Sequence, residues 1–151
     1  MRVAVPFLLA VCLGVGASGC KKEAVPVHVE WHVDVDAALV LSMETKKPFI
    51  VFFGASWDTA WKELEQVTLA DPEVRATLAR DFVVAYVDAT DDEDKETRRN
   101  AERFRIVGDP SVVVLHPDGF TEIVRFNEYV PPAKMIVALR KAAKSCAPWS
   151  T

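Results

Sequence analysis

Residues 47–62 read Lys47-Pro48-Phe49-Ile50-Val51-Phe52-Phe53-Gly54-Ala55-Ser56-Trp57-Asp58-Thr59-Ala60-Trp61-Lys62. Phe49 to Phe53 form an unbroken apolar, aromatic-rich run of strand length, the pattern of a central strand covered on both faces. Gly54-Ala55-Ser56 makes a tight exit. Asp58 or Thr59 then supplies a short side-chain oxygen suited to cap a helix, in which Leu64 and Val67 are expected to face inward.

The chain on either side extends the pattern. Upstream, Val27-His28-Val29-Glu30-Trp31 alternates as a short first strand, and Asp34 or Asp36 can cap a helix through about Thr45, with Ala38, Leu39, Val40, Leu41 and Met43 as its apolar side. Downstream, Asp71-Pro72-Glu73 signals a helix with Asp71 at the N-cap and Pro72 at its first position. Phe82 to Val87 is a second buried-type strand, and Thr90-Asp91-Asp92-Glu93 has capping-box spacing before a charged helix to Phe104. Ser111 to Leu115 is a further strand, Pro117-Asp118-Gly119 a turn, Glu122 to Phe126 its antiparallel partner, and Pro131-Pro132 the start of a last helix. Alternating strands and helices that close on a hairpin predict an α/β domain with a central mixed sheet and helices on both faces.

At 151 residues the chain has room for one domain, and 50% hydrophobic with 26% charged residues is ordinary for a globular protein. A net charge of -4 supplies no positive field for a phosphate backbone, so no nucleic-acid partner is expected. The three cysteines, Cys12, Cys20 and Cys146, are too few and too dispersed for a disulfide scaffold or a Cys-rich metal site. His28, His32 and His116 have no zinc spacing, and the acidic run Asp88 to Asp94 lacks the glycine and terminal glutamate of an EF-hand loop. No metal or cofactor is expected.

Residues 1–19 begin with Arg2, continue as an apolar run from Val3 to Val15, and end in small residues before Cys20-Lys21-Lys22-Glu23. The run is shorter than the ~20 apolar residues needed to span a bilayer and has the layout of a secretory signal. Ala17-Ser18-Gly19-Cys20 resembles the lipobox of bacterial lipoproteins, with Ala17 where that family prefers Leu. The resemblance implies diacylation of Cys20, a tether over residues 20–26, a folded domain over 27–146 and a tail over 147–151. It also implies a membrane partner through the acyl chains, with Lys21 favouring the outer membrane and a periplasm-facing domain. An ordinary cleaved signal and an uncleaved anchor are the alternatives.

From Lys47 to Ala142 the landmarks carry a second resemblance. They are the KPFIVFFGASW strand and exit, the KELEQVTLADPEV segment, the VDAT turn, FRIVGDPS and the HPDG hairpin. Together they resemble the C-terminal thioredoxin-like domain of DsbD-type thiol:disulfide interchange proteins, which implies a thioredoxin fold. In that family the segment after the tryptophan is Cys-x-x-Cys-Lys, whereas here it is Asp58-Thr59-Ala60-Trp61-Lys62. Thiol–disulfide exchange needs an attacking thiolate and a resolving thiol, and a carboxylate and an indole supply neither. The resemblance also places Pro110, between Asp109 and Ser111, as the cis proline opposite the reactive corner, in a loop that pairs with extended peptide.

Two readings stand for each replaced position. Asp58 is a helix cap or a ligand-binding carboxylate, while Trp57 and Trp61 are packing residues or a recognition surface for a partner. Cys146, with no x-x-Cys partner, is a free thiol, a site of intermolecular pairing, or a remnant of redox chemistry. The expected function is noncovalent binding of an envelope protein or extended peptide at Trp57, Asp58, Thr59, Ala60, Trp61, Asp109, Pro110 and Ser111 without catalytic residues. A divergent interchange protein and a structural envelope component are the alternatives.

Overall fold

A computed structural model describes residues 27–147. The elements are β1 (Trp31–His32), α1 (Val35–Thr45), β2 (Phe49–Gly54), α2 (Thr59–Glu63, continued by a π-helical turn over Leu64–Thr68), α3 (Pro72–Asp81), β3 (Val83–Asp88), α4 (Lys95–Arg103), β4 (Ser111–Leu115), β5 (Glu122–Phe126) and α5 (Pro132–Cys146). The sheet order is β1-β3-β2-β4-β5. β1, β3 and β2 are parallel, whereas β4 and β5 are antiparallel to their neighbours. This is the mixed α/β sheet of a thioredoxin fold.

β2 is buried along its whole length because it lies between β3 and β4 and has helices on both faces. Its alternating side chains divide the core. Ile50 and Phe52 pack with Trp61, Leu64, Leu78 and Leu139, from the side of α2, α3 and α5. Phe49, Val51 and Phe53 pack with Val35, Leu39 and Phe104, from the side of α1 and α4. Period-two geometry turns one apolar run into two half-cores, which is why the run shows no polar alternation.

The caps at Asp34, Asp58 and Asp71 form where short acidic side chains precede the helices. Four local expectations require correction. The first strand is limited to Trp31–His32 rather than beginning at Val27, because Trp31 pairs with Val84, one residue into β3, and residues upstream of Glu30 run past the start of that strand. The Thr90 capping box does not form. Asp94 caps α4 through Thr97 N (2.8 Å), while Thr90 bonds Asp88 Oδ1 and accepts from Ser56 N (2.9 Å). Thr90 thus serves a loop-to-loop tie just before Trp57.

Val67 is exposed rather than inward-facing. Leu69 N donates to Leu64 O (2.9 Å), and this wider turn shifts the helical phase so that Leu64 and Thr68 face the core. Thr68 Oγ1 donates to Val130 O (2.5 Å), tying the turn to the loop before α5. In α1, Val40 and Met43 are exposed, and the buried stripe is Val35, Ala38, Leu39 and Ser42.

Candidate functional site

The end of β2 and the start of α2 form the corner singled out by the sequence. Asp58 N donates to Ala55 O (3.0 Å), closing the turn, and the Asp58 carboxylate accepts from Ala60 N and Trp61 N, each at 3.1 Å. Both carboxylate oxygens therefore satisfy helix amides that would otherwise lack partners. Asp58 is a helix cap, and its position beside the surface also leaves its charge there.

Trp57 and Trp61 do different jobs. Trp57 is 64% exposed, whereas Trp61 is 6% exposed and part of the core beneath α2. The Trp61 indole stacks on Tyr86 with ring centroids 5.2 Å apart and planes inclined by 17°. It also lies against Gly54 so closely that a Cβ there would stand 2.0 Å from Trp61 Cδ2. Trp61 is packing, and Trp57 is the aromatic presented outward. Thr59 is exposed beside it and Ala60 is half-buried.

β4 brings the second wall. Its first residue, Ser111, pairs with Phe53, which puts the preceding loop beside the β2 exit. The Asp109–Pro110 peptide is cis. Pro110 is buried, and the buried Ser111 hydroxyl lies 2.5 Å from Gly108 O and 3.2 Å from Asn127 Oδ1. Asp109 is half-buried, with Oδ1 out of contact with solvent and without a hydrogen-bond partner. Burial pushes its carboxyl pKa up, and the charge of Asp58 pushes it further, so the two carboxylates are electrostatic neighbours.

Tyr86 is the site residue that sequence reading missed. Its hydroxyl donates to Gly54 O (3.1 Å), holding the end of β2 from the neighbouring strand. Burial first, then the charges of Asp88, Glu65 and Asp109, push its pKa up to about 12, so it stays a neutral donor. The available signal was one hydroxyl in an otherwise apolar strand, Phe82 to Val87.

Cys146 belongs elsewhere. It ends α5 as a half-buried free thiol, and burial raises its pKa, with the charge of Asp118 adding to the effect. Asp118 lies in the turn beyond the Leu115 end of β4, whereas Pro110 precedes the Ser111 end. Five residues at ~3.3 Å rise separate those ends, so Cys146 is not positioned to replace a thiol at Asp58 or Trp61. Cys12 and Cys20, including the expected lipidation site, lie outside the described residues. Among the described residues no group of three or more His, Cys, Asp or Glu is placed to hold a metal ion.

The site thus sets Asp58 near enough to Asp109 for their charges to interact, leaves Trp57 exposed, buries Pro110 and Trp61, and contains no disulfide-forming pair. Residues 35–143 match the thioredoxin-like domain family. The thiol:disulfide interchange protein DsbD of Ralstonia nicotianae is 31% identical over 109 residues, which are 72% of this chain and 18% of that protein. The chain spans less than a fifth of the length of the curated relatives it matches. A thioredoxin from Thermus thermophilus is similar with a TM-score of 0.67 and 25% identity, over 79% of this chain and 90% of its own. The oxidised C-terminal domain of Neisseria meningitidis DsbD is similar with a TM-score of 0.59 and 26% identity, over 75% and 99%. With the greater part of its length matched by the family model, this chain belongs to the thioredoxin-like domain family, and among its described residues it carries no disulfide-forming cysteine pair.

Proposed function

We propose that this chain is a redox-inactive, lipid-anchored thioredoxin-like protein of the bacterial cell envelope. It binds a protein or extended peptide noncovalently at the former reactive corner, as an accessory to protein handling. The observation that carries the reading is the separate fate of the two tryptophans. Trp61 fills the interior beside Gly54, while Trp57 stays 64% exposed just before the Asp58 cap of α2. An exposed tryptophan offers a large contact area at low entropic cost, and such residues anchor many interfaces. The envelope assignment draws on the Cys20 segment and on relatives named as thiol:disulfide interchange proteins.

The test couples two measurements on the full-length chain in detergent. Dithiothreitol-driven insulin reduction should proceed at the rate of the no-protein control. Capture of envelope proteins should be equal under oxidising and reducing conditions and should be lost in Trp57→Ala with unchanged circular dichroism. Catalysed insulin reduction, or a partner trapped through a mixed disulfide to Cys146, would assign the chain to interchange chemistry instead.

A further inference from the structure

We propose that the outward face of α5 docks on the anionic phospholipid headgroups of the bilayer that holds the Cys20 anchor, so that the domain touches its membrane twice. The inference rests on the lipid-anchored reading above and adds how the domain is oriented.

The first observation is the charge of the helix. Pro132–Cys146 carries Lys134, Arg140, Lys141 and Lys144 and no acid, whereas the other residues from 27 to 147 hold eleven cations and twenty-one acids. All four cations are exposed. Glu73 pairs with Arg140, and Glu128 lies 3.4 Å from Lys134, but Lys141 and Lys144 enter no ion pair among the described residues. Spaced at i, i+3, i+7 and i+10, Lys134, Val137, Lys141 and Lys144 form one stripe about 15 Å long. Val137, within that stripe, is 67% exposed. An exposed apolar residue flanked by cations suits a surface of anionic headgroups over a shallow apolar layer.

Helix stability does not account for the pattern. The helix dipole favours acids in the first turn and cations in the last. α1, α3 and α4 follow it with Asp36, Glu73 and Glu96, but the first turn of α5 has no acid and bears Lys134 instead. The dipole thus explains Lys144 and opposes Lys134.

The second observation is where the tether joins. Arg75 Nη2 donates to Val27 O (3.0 Å), and Val29 is buried in the half-core under α2, α3 and α5. α3 packs directly on α5, with Glu73, two residues before Arg75, paired to Arg140. The root of the chain therefore lies on the same side of the sheet as α5. Seven residue steps separate Cys20 from Val27, at most ~25 Å of chain. A domain of this size is roughly 35 Å across, so the leash is shorter than the molecule is thick. The face carrying α1 and α4 is turned away from it. The arginines Arg103, Arg105 and Arg125 are on that far side, and Asp36 and Glu122 pair with two of the three.

The third observation is the balance of the whole. Fifteen cations against twenty-one acids over residues 27–147 make an anionic surface repel the domain at large. Held within reach of such a surface, the domain is turned by its own field until the cationic stripe on the tethered side faces the headgroups.

The test adds the lipidated chain, purified in detergent, to preformed vesicles of phosphatidylcholine with phosphatidylglycerol or of phosphatidylcholine alone, and recovers the bound protein by flotation. Lysines are acetylated with an N-hydroxysuccinimide ester and followed by peptide mass spectrometry, with Lys46 after α1 and Lys95 in α4 as internal references. Both vesicles should float the protein through its acyl chains. With phosphatidylglycerol, Lys141 and Lys144 should react about five-fold more slowly than on phosphatidylcholine, the increment of one lysine near an anionic surface, while Lys46 and Lys95 are unchanged. Sodium chloride at about 0.5 M should remove the difference. Lys141→Gln should cut the protection of Lys144 several-fold with unchanged circular dichroism. Flotation with both vesicles but equal labelling of Lys141 and Lys144 on the two would overturn the docking of α5 and leave the anchor. Protection conferred by solubilised envelope proteins without vesicles would assign the face to a protein and overturn the lipid. Flotation with neither vesicle would overturn the anchor and this inference together.

Discussion

Gly54 and Trp61 compete for one volume: a Cβ on Gly54 would stand 2.0 Å from Cδ2 of the Trp61 indole. Gly54 ends the central strand, and Trp61 follows the cap of α2, so the contact fixes the strand-to-helix corner from inside. Tyr86 closes the third side by stacking on the indole and donating to the Gly54 carbonyl. Where a resolving cysteine would present a thiol, this chain has a ring that needs its neighbour to be glycine. The replacement of the reactive pair is therefore also a packing commitment.

The first prediction follows directly. Gly54→Ala should destabilise the domain by about 1–3 kcal/mol, because a rigid indole cannot yield as the tip of a flexible side chain could. Trp61→Ala should cost about 3–5 kcal/mol through the cavity it leaves. In the double variant the new methyl meets empty space, so the Gly54→Ala cost should largely vanish. Urea unfolding of the four proteins gives the coupling, and additive effects would show that the two residues do not share the volume.

Asp58 is predicted to act on stability through its cap rather than through its charge. Asp58→Ala should lose about 0.5–2 kcal/mol, whereas Asp58→Asn, an equally good N-cap, should change stability little. Chemical denaturation distinguishes the two. Equal losses would show that one amide oxygen cannot replace the carboxylate, whose two oxygens accept separately from Ala60 N and Trp61 N.

What could be read in advance depended on how local the cause was. The central strand was legible because Phe49 to Phe53 must be covered on both sides wherever they sit, and Asp34, Asp58 and Asp71 were legible because a cap bonds its own next turn. Thr90 was misread because several side-chain oxygens compete there, and contacts to Asp88 and Ser56 settled which one served the helix. The phase error at Val67 came from a π-turn tied by Thr68 to Val130, 62 residues away. The replacement of both cysteines was plain, but the choice between Trp61 as surface and Trp61 as core turned on Gly54, whose contribution is the absence of a side chain. Tyr86 was missed for the same reason: only the folded sheet brings its hydroxyl to the β2 exit.

Tyr86 should titrate with a pKa of about 12, raised by burial and by the neighbouring charges of Asp88, Glu65 and Asp109. The unfolded side chain titrates near 10, so the folded state holds this proton more tightly. The associated stabilisation is fully present below the unfolded pKa and disappears as pH rises through about 12. Tyrosinate absorbance in a Tyr129→Phe background isolates Tyr86, the other tyrosine being removed. An ionisation near 10 in a protein still folded by circular dichroism would show that the hydroxyl is not held as described.

The last prediction concerns sulfur. In the proposed lipoprotein, signal cleavage before Cys20 would remove Cys12 and acylation would consume the Cys20 thiol, leaving Cys146 as the one thiol. One sulfur cannot form an intrachain disulfide, and this one is half-buried with its pKa raised chiefly by burial, which leaves less thiolate to react at neutral pH. Intact mass spectrometry after trapping with N-ethylmaleimide should find one modifiable thiol per chain in both oxidising and reducing buffers, together with the mass of acyl chains. Iodoacetamide should react with that thiol more slowly than with free cysteine, and denaturation should remove the difference. Cys20→Ala should lose the acyl mass and leave the detergent phase while Cys146 reactivity stays unchanged, because lipidation and the α5 thiol are independent features. A mature protein that is free of lipid and forms a reversible intrachain disulfide would overturn the anchor and return the chain to the redox-active class.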